Sequence, residues 1–141
     1  MIVYLDTSAL VPLLIAEPTT SRCARLWDGA SAKLSSRVTY VEASAALASA
    51  VRAHRIDADE HEAALTVLAD LWQEISAVEV DETLMRTAAS LARTDALRGY
   101  DAIQCASALR LAGLDVVAVS GDNVLCESWH RHGLHVVNTN G

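Results

Sequence analysis

The chain has 141 residues, 52% of them hydrophobic, and a formal charge of -7. That size and apolar content suit a single domain, residues 1–141, with its own core, and leave no room for a second. The negative charge speaks against the broad basic footprint of non-specific nucleic-acid binding, although a cluster of acids that binds divalent cations would also make the total negative.

No apolar run is long enough to cross a bilayer, and the first residues lack the basic segment and cleavage site of a signal peptide. Cys23, Cys105 and Cys126 are an odd number without a Cys-x-x-Cys pair, which argues against a disulfide framework and for a reducing interior. A cytoplasmic protein without membrane contact is expected.

In chain order, Met1-Ile2-Val3-Tyr4-Leu5 is a buried strand that delivers Asp6 to its C-terminal tip. Ala9 to Ala16 reads as a short helix with Pro12 in its first turn. Glu17-Pro18 breaks it, Thr19 or Thr20 caps a second helix through Trp27, and Asp28-Gly29 stops that one. Lys33 to Ser36 is a weak strand. Thr39-x-x-Glu42 has the spacing of a capping box before a small-residue helix from Ala43 to about His54. Asp57 to Glu60 opens another helix, with Leu65, Leu68, Leu71, Trp72 and Ile75 as its buried stripe. Val78-Glu79-Val80 reads as a strand, and Asp81 caps a helix that turns Leu84, Met85, Ala88, Leu91 and Ala92 inward. Leu97-Arg98-Gly99-Tyr100 leads to Asp101 and a helix ending at Gly113. Asp115 to Val119 is the second strong strand, followed by Ser120-Gly121-Asp122, a short helix through Trp129 and a last strand at His135-Val136-Val137. Strands alternating with helices predict an α/β fold, a central mostly parallel sheet covered on both faces in three α/β/α layers.

Four acids hold one kind of position. Asp6 and Asp122 follow strong strands, and Glu42 and Asp101 sit in first helical turns. In a parallel sheet these places lie on one side of the domain. Any one of them alone reads more simply as a helix cap. The apolar run after Asp101, however, places that acid at the mouth of a buried helix, where crowded carboxylates repel one another unless a cation joins them. Oxygen-only ligands favour Mg²⁺ or Mn²⁺ over zinc. A phosphoaspartate hydrolase would need an acid where Ser8 stands, and a receiver domain a late lysine, whereas the only lysine is Lys33. No phosphate-binding glycine loop is present. His130, His132 and His135 lack the further ligand that a zinc site would need.

Leu5-Asp6-Thr7-Ser8-Ala9-Leu10, Glu42 at a helix start, Leu97-Arg98-Gly99-Tyr100-Asp101-Ala102 and Val119-Ser120-Gly121-Asp122 together resemble the motifs of the PIN-domain family, nearest to its VapC-type ribonuclease toxins of type II toxin–antitoxin pairs. The resemblance spans essentially the whole chain. It implies a Mg²⁺-dependent endoribonuclease that leaves a 5′-phosphate and a 3′-hydroxyl, forms a homodimer and is inhibited by a VapB-type antitoxin. Carried over by position, Asp6 and Asp101 are the principal metal ligands, Glu42 and Asp122 the third and fourth acids, and Ser8 and Ser120 supporting hydroxyls. Arg98, then Arg22, Arg25 and Arg93, are the candidates for gripping RNA. Two other expectations stand beside this one: a binding module that keeps the fold with little catalysis, and an RNA-processing or structure-specific nuclease without an antitoxin.

Overall fold

The computed structural model describes residues 1–141. Five strands form one sheet in the order β3-β2-β1-β4-β5: β1 (Ile2–Leu5), β2 (Ala32–Ser36), β3 (Ile75–Val78), β4 (Val116–Ser120) and β5 (His135–Asn138). Every adjacent pair is parallel, so the sheet is wholly parallel. Parallel neighbours need crossovers, and helices supply them: α1 (Thr7–Leu10), α2 (Thr20–Gly29), α3 (Thr39–Arg52), α4 (Ala58–Gln73), α5 (Glu82–Thr94), α6 (Gly99–Leu109) and α7 (Asn123–Arg131).

Alternation along β1 sorts the side chains to two faces. Val3 and Leu5 join Ala9, Leu10, Trp27, Ala43, Leu47 and Leu68 beneath α1 to α4. Tyr4 points the other way, into Leu84, Leu91, Ala106, Leu125 and Trp129 beneath α5 to α7. Two apolar layers on one sheet make the α/β/α sandwich expected from the sequence. Tyr4 and Trp129 meet edge to face at 5.8 Å between ring centroids, an arrangement that adds about 1 kcal/mol to simple burial.

The chain runs outward from β1 in both directions, through β2 and β3 on one side and β4 and β5 on the other. The point where the order reverses, between β1 and β4, opens a crevice at the carboxyl ends of those strands. Asp6 and Ser120-Gly121-Asp122 stand at its edges.

Several boundaries differ from the sequence expectation. The first helix begins at Thr7, directly on Asp6, and passes into a 3₁₀ turn over Val11–Leu13 that holds Pro12. The third strand is Ile75–Val78, not 78–80, because pairing with β2 matches Lys33 to Ile75 and Ser36 to Val78. Ile75 therefore belongs to a strand rather than to the stripe of α4. Met85 is about half exposed instead of inward, and α6 ends at Leu109, short of Gly113. The Asp57–Glu60 capping box is present with both of its hydrogen bonds. The one proposed at Thr39–Glu42 is not: Val38 occupies the cap position without a side-chain bond, and both residues are engaged elsewhere.

Candidate functional site

A cavity of about 410 Å³ lies at the crevice. Asp6, Glu42, Asp101 and Asp122, delivered by β1, α3, α6 and the turn after β4, all line it. Glu17, Thr19, Gln104, Thr139 and Asn140 line it too, and no lysine, arginine or histidine does.

Asp6 is the most buried of the acids, 5% exposed. Its position is that of the cap of α1, yet its side chain makes no cap bond. Instead Ser8 Oγ donates to Asp6 Oδ1 at 2.7 Å. The Gly121 amide donates to Ser8 Oγ at 2.8 Å, and Ser120 Oγ lies 3.2 Å from it. Ser8 spends its one proton on the carboxylate, so Ser120 is the donor of that pair. Ser120 Oγ in turn accepts the Asp122 amide at 2.9 Å. The two serines thus tie the ends of β1 and β4 together around Asp6. Burial pushes the Asp6 carboxyl up to about 7; the Ser8 hydrogen bond opposes this, and the Glu42 charge adds to it.

Glu42 stands on the first turns of α3, where Thr7 Oγ1 donates to its Oε1 at 2.8 Å and Gln104 Nε2 at 2.7 Å. Asp101 sits in the first turn of α6 with a quarter of its side chain open. Burial raises its pKa and the neighbouring Asp122 raises it further, while Arg98, 3.4 Å away, pulls it down. Asp122 is both a cavity wall and a cap, since its Oδ1 accepts the Val124 and Leu125 amides that open α7. The bland reading is therefore right for one oxygen of Asp122, and the structure contradicts it for Thr39–Glu42.

The arginines are placed unequally. Arg98 is exposed at the rim on Asp101. Arg22 reaches the carbonyls of Thr139 at 3.4 Å and Gly141 at 3.1 Å, behind the cavity wall. Arg25 and Arg93 are exposed on α2 and α5 and line no part of the cavity. Of the histidines, His132 Nε2 pairs with Asp95 Oδ2 at 2.9 Å.

The donor set is oxygen only, which suits a hard divalent ion. No three of these carboxylates close around one point to form a ready-made cage. Magnesium, which dehydrates reluctantly, is ordinarily held by one or two carboxylates with waters completing the octahedron. A wide acidic cup with a strongly desolvated Asp6 fits that mode of binding.

This architecture, a parallel sheet with carboxylates gathered at its switch point, defines the class. The PIN domain model matches residues 3–127, and the chain belongs to the PIN-domain family. Among its relatives is "Ribonuclease VapC45" of Mycobacterium tuberculosis, 41% identical over 135 residues, which cover 96% of this chain and 94% of the relative. Among solved structures, M. tuberculosis VapC20, described as a Sarcin-Ricin loop cleaving toxin, aligns with TM-score 0.68 at 20% identity over 96% of this chain and 98% of that one. A toxin–antitoxin complex from Klebsiella pneumoniae aligns with TM-score 0.61 at 16% identity over 97% of each chain. These two share the fold.

Proposed function

We propose that this chain is a divalent-metal-dependent endoribonuclease that hydrolyses RNA phosphodiester bonds and acts as the toxin of a toxin–antitoxin pair. One observation carries the chemistry: four carboxylates from distant parts of the sequence share one cavity, and the most buried of them resists ionisation in the absence of a cation. The VapC ribonuclease relative, aligned over nearly the whole of both chains, supports RNA as the substrate.

Asp6 and Asp101 would hold the ion, with Asp122 contributing the oxygen that its cap leaves free. A bound Mg²⁺ or Mn²⁺ lowers the pKa of a coordinated water and neutralises charge on the phosphodiester oxygens. Glu42 Oε1 already accepts two hydrogen bonds. Its other oxygen, or the open face of Asp101, would accept the proton of the attacking water. Ser8 and Ser120 keep Asp6 aimed into the cavity, and Arg98 at the rim meets the incoming phosphate backbone.

The partners are an RNA, a small VapB-type antitoxin and a second copy of the chain. The half-exposed Met85 and Tyr100, with Ala89 and Ile103, give α5 and α6 an apolar face that suits self-association. No helix is long and apolar enough to cross a membrane.

RNA cleavage by purified protein, with Mg²⁺ and with chelator, tests the reading. Cleavage is expected only with the metal, and Asp6→Asn and Asp101→Asn are expected to abolish it while the circular dichroism spectrum stays unchanged. Full cleavage by a folded Asp6→Asn variant would overturn the assignment.

A further inference from the structure

The segment that leaves β5 closes over the turn that carries Asp122. This turn, from the end of β4 to the start of α7, is irregular backbone at the wall of the cavity, so its polar groups need partners outside regular structure. Two of them are satisfied by serines: the Gly121 amide donates to Ser8 Oγ at 2.8 Å, and the Asp122 amide to Ser120 Oγ at 2.9 Å. The segment after β5 satisfies two more. The Ser120 carbonyl accepts the Thr139 amide at 2.9 Å, and the Gly121 carbonyl accepts Asn140 Nδ2 at 2.8 Å.

Asn140 is fitted to this place. Its backbone amide donates to Asn138 Oδ1 at 2.9 Å, and Arg22 Nη1 reaches from α2 to the carbonyls on either side of it, Thr139 at 3.4 Å and Gly141 at 3.1 Å. Arg22 is thus spent on this segment and not on the cavity rim. Gly121 is shaped to match, since a Cβ there would fall 2.9 Å from Asn140 Nδ2, closer than side-chain carbons approach. The glycine leaves the room in which the amide closes on the carbonyl. Three hydrogen bonds in series, Asn140 to Gly121, Gly121 to Ser8 and Ser8 to Asp6 Oδ1 at 2.7 Å, therefore lead from beyond β5 to the most buried acid of the cavity.

We propose that Asn140 is a positioning residue of the cation site: its side-chain amide fixes the Gly121 turn, and that turn holds the Ser8 hydroxyl on Asp6. Outer partners of this kind orient the carboxylates that touch an ion. The inference rests on the metal-dependent reading above and deepens it, adding a residue from beyond the last strand that acts on Asp6 only through the turn and Ser8.

Titration calorimetry of the full chain with MnCl₂ tests it in the wild type, Asn140→Ala, Ser8→Ala and the double variant, alongside melting temperatures in chelator. Asn140→Ala removes an exposed bond, so its metal-free melting temperature is expected to stay within about 3 °C of the wild type. Its Mn²⁺ affinity is expected to fall about fivefold, the equilibrium equivalent of one lost hydrogen bond. Ser8→Ala is expected to weaken binding about tenfold. With the Ser8 hydroxyl gone the turn no longer reaches Asp6, and adding Asn140→Ala is expected to cost less than about twofold more. Wild-type affinity in Asn140→Ala, or the same loss with Ser8 present and absent, overturns the proposal while leaving the metal site standing, provided that Asp6→Asn abolishes binding. Absence of Mn²⁺ binding in the wild type overturns this proposal and the nuclease reading together.

Discussion

Gln104 Nε2 donates to Glu42 Oε1 across 2.7 Å, joining the buried face of α6 to an acid on α3. The amide is 2% exposed, and its oxygen accepts the Tyr4 hydroxyl at 2.5 Å. Burial holds the Tyr4 pKa well above its usual value, so the phenol stays a donor and fixes which end of the amide faces Glu42. Thr39 Oγ1 lies 2.9 Å from the same Nε2. The site acid is thus held by a polar chain that starts in the core.

Gln104→Met breaks this chain at its centre. It leaves the Tyr4 and Thr39 hydroxyls short of a partner, and a loss of about 2–3 kcal/mol is expected in denaturant unfolding. Because Glu42 keeps only Thr7, kcat for RNA cleavage is expected to fall about tenfold with KM little changed. Tyr4→Phe removes only the far end of the chain, and there stability is expected to drop by about 1 kcal/mol with kcat preserved. Equal kinetic losses in the two variants would show that core packing, rather than the grip on Glu42, is being measured.

Helix α3 ends with His54 at φ 57°. The His54 amide bonds the Val51 carbonyl and the Arg55 amide the Ala50 carbonyl, the two hydrogen bonds of a Schellman turn. That position favours glycine, since a side chain at positive φ costs about 1–2 kcal/mol. Glycine's larger unfolded-state entropy returns part of the gain. His54→Gly is therefore expected to stabilise the protein by about 0.5–1 kcal/mol in denaturant unfolding without changing cleavage.

The sequence made the site's acids legible for a physical reason. Apolar β-branched runs mark β1 and β4, helical periodicity follows each, and a parallel sheet brings strand exits and helix entries to one edge. Asp6, Glu42, Asp101 and Asp122 could be gathered from those local patterns alone. Gln104 was hidden because Ala102 to Ala108 reads as core; the signal lay in the one large amide within that run, which cannot be buried unpaired. Thr139 and Asn140 reach the cavity through the pairing of β5 with β4, a long-range register that no local pattern encodes. The β3 boundary failed for the same reason: Val78-Glu79-Val80 has a strand's alternation, but the register with β2 selects Ile75–Val78.

Asp95 links the end of α5 to α7. Its carboxylate accepts the Ser128 and Thr94 hydroxyls and pairs with His132, while Arg131 lies 3.5 Å away. The Ser128 hydrogen bond, more than any other contact, lowers its pKa to about 2. A carboxylate depressed in the folded state adds stability above its unfolded pKa and loses it as pH falls toward the folded value. The wild type is therefore expected to lose stability more steeply than Asp95→Asn between about pH 4 and pH 2. Parallel slopes for the two proteins in acid denaturation would contradict the assignment.

Asp6 has the opposite sign. Its folded pKa of about 7 lies above the ordinary 3.8 because burial disfavours the charge. The metal-free fold is most favoured when this carboxyl is protonated. Stability is lost as pH rises from about 4 to about 7, and above that the full cost is present, on the order of 4 kcal/mol for a shift of this size. Asp6→Asn carries no charge to desolvate and is expected to melt up to about 10 °C above the wild type at pH 8 in chelator, with the gap closing toward pH 4. Adding Mg²⁺ at pH 8 is expected to raise the wild-type melting temperature and leave that of Asp6→Asn where it was. A variant that melts below the wild type across this whole range would mean that the Ser8 hydrogen bond outweighs burial, and that the acid at the tip of β1 holds the fold together rather than straining it for the sake of a cation.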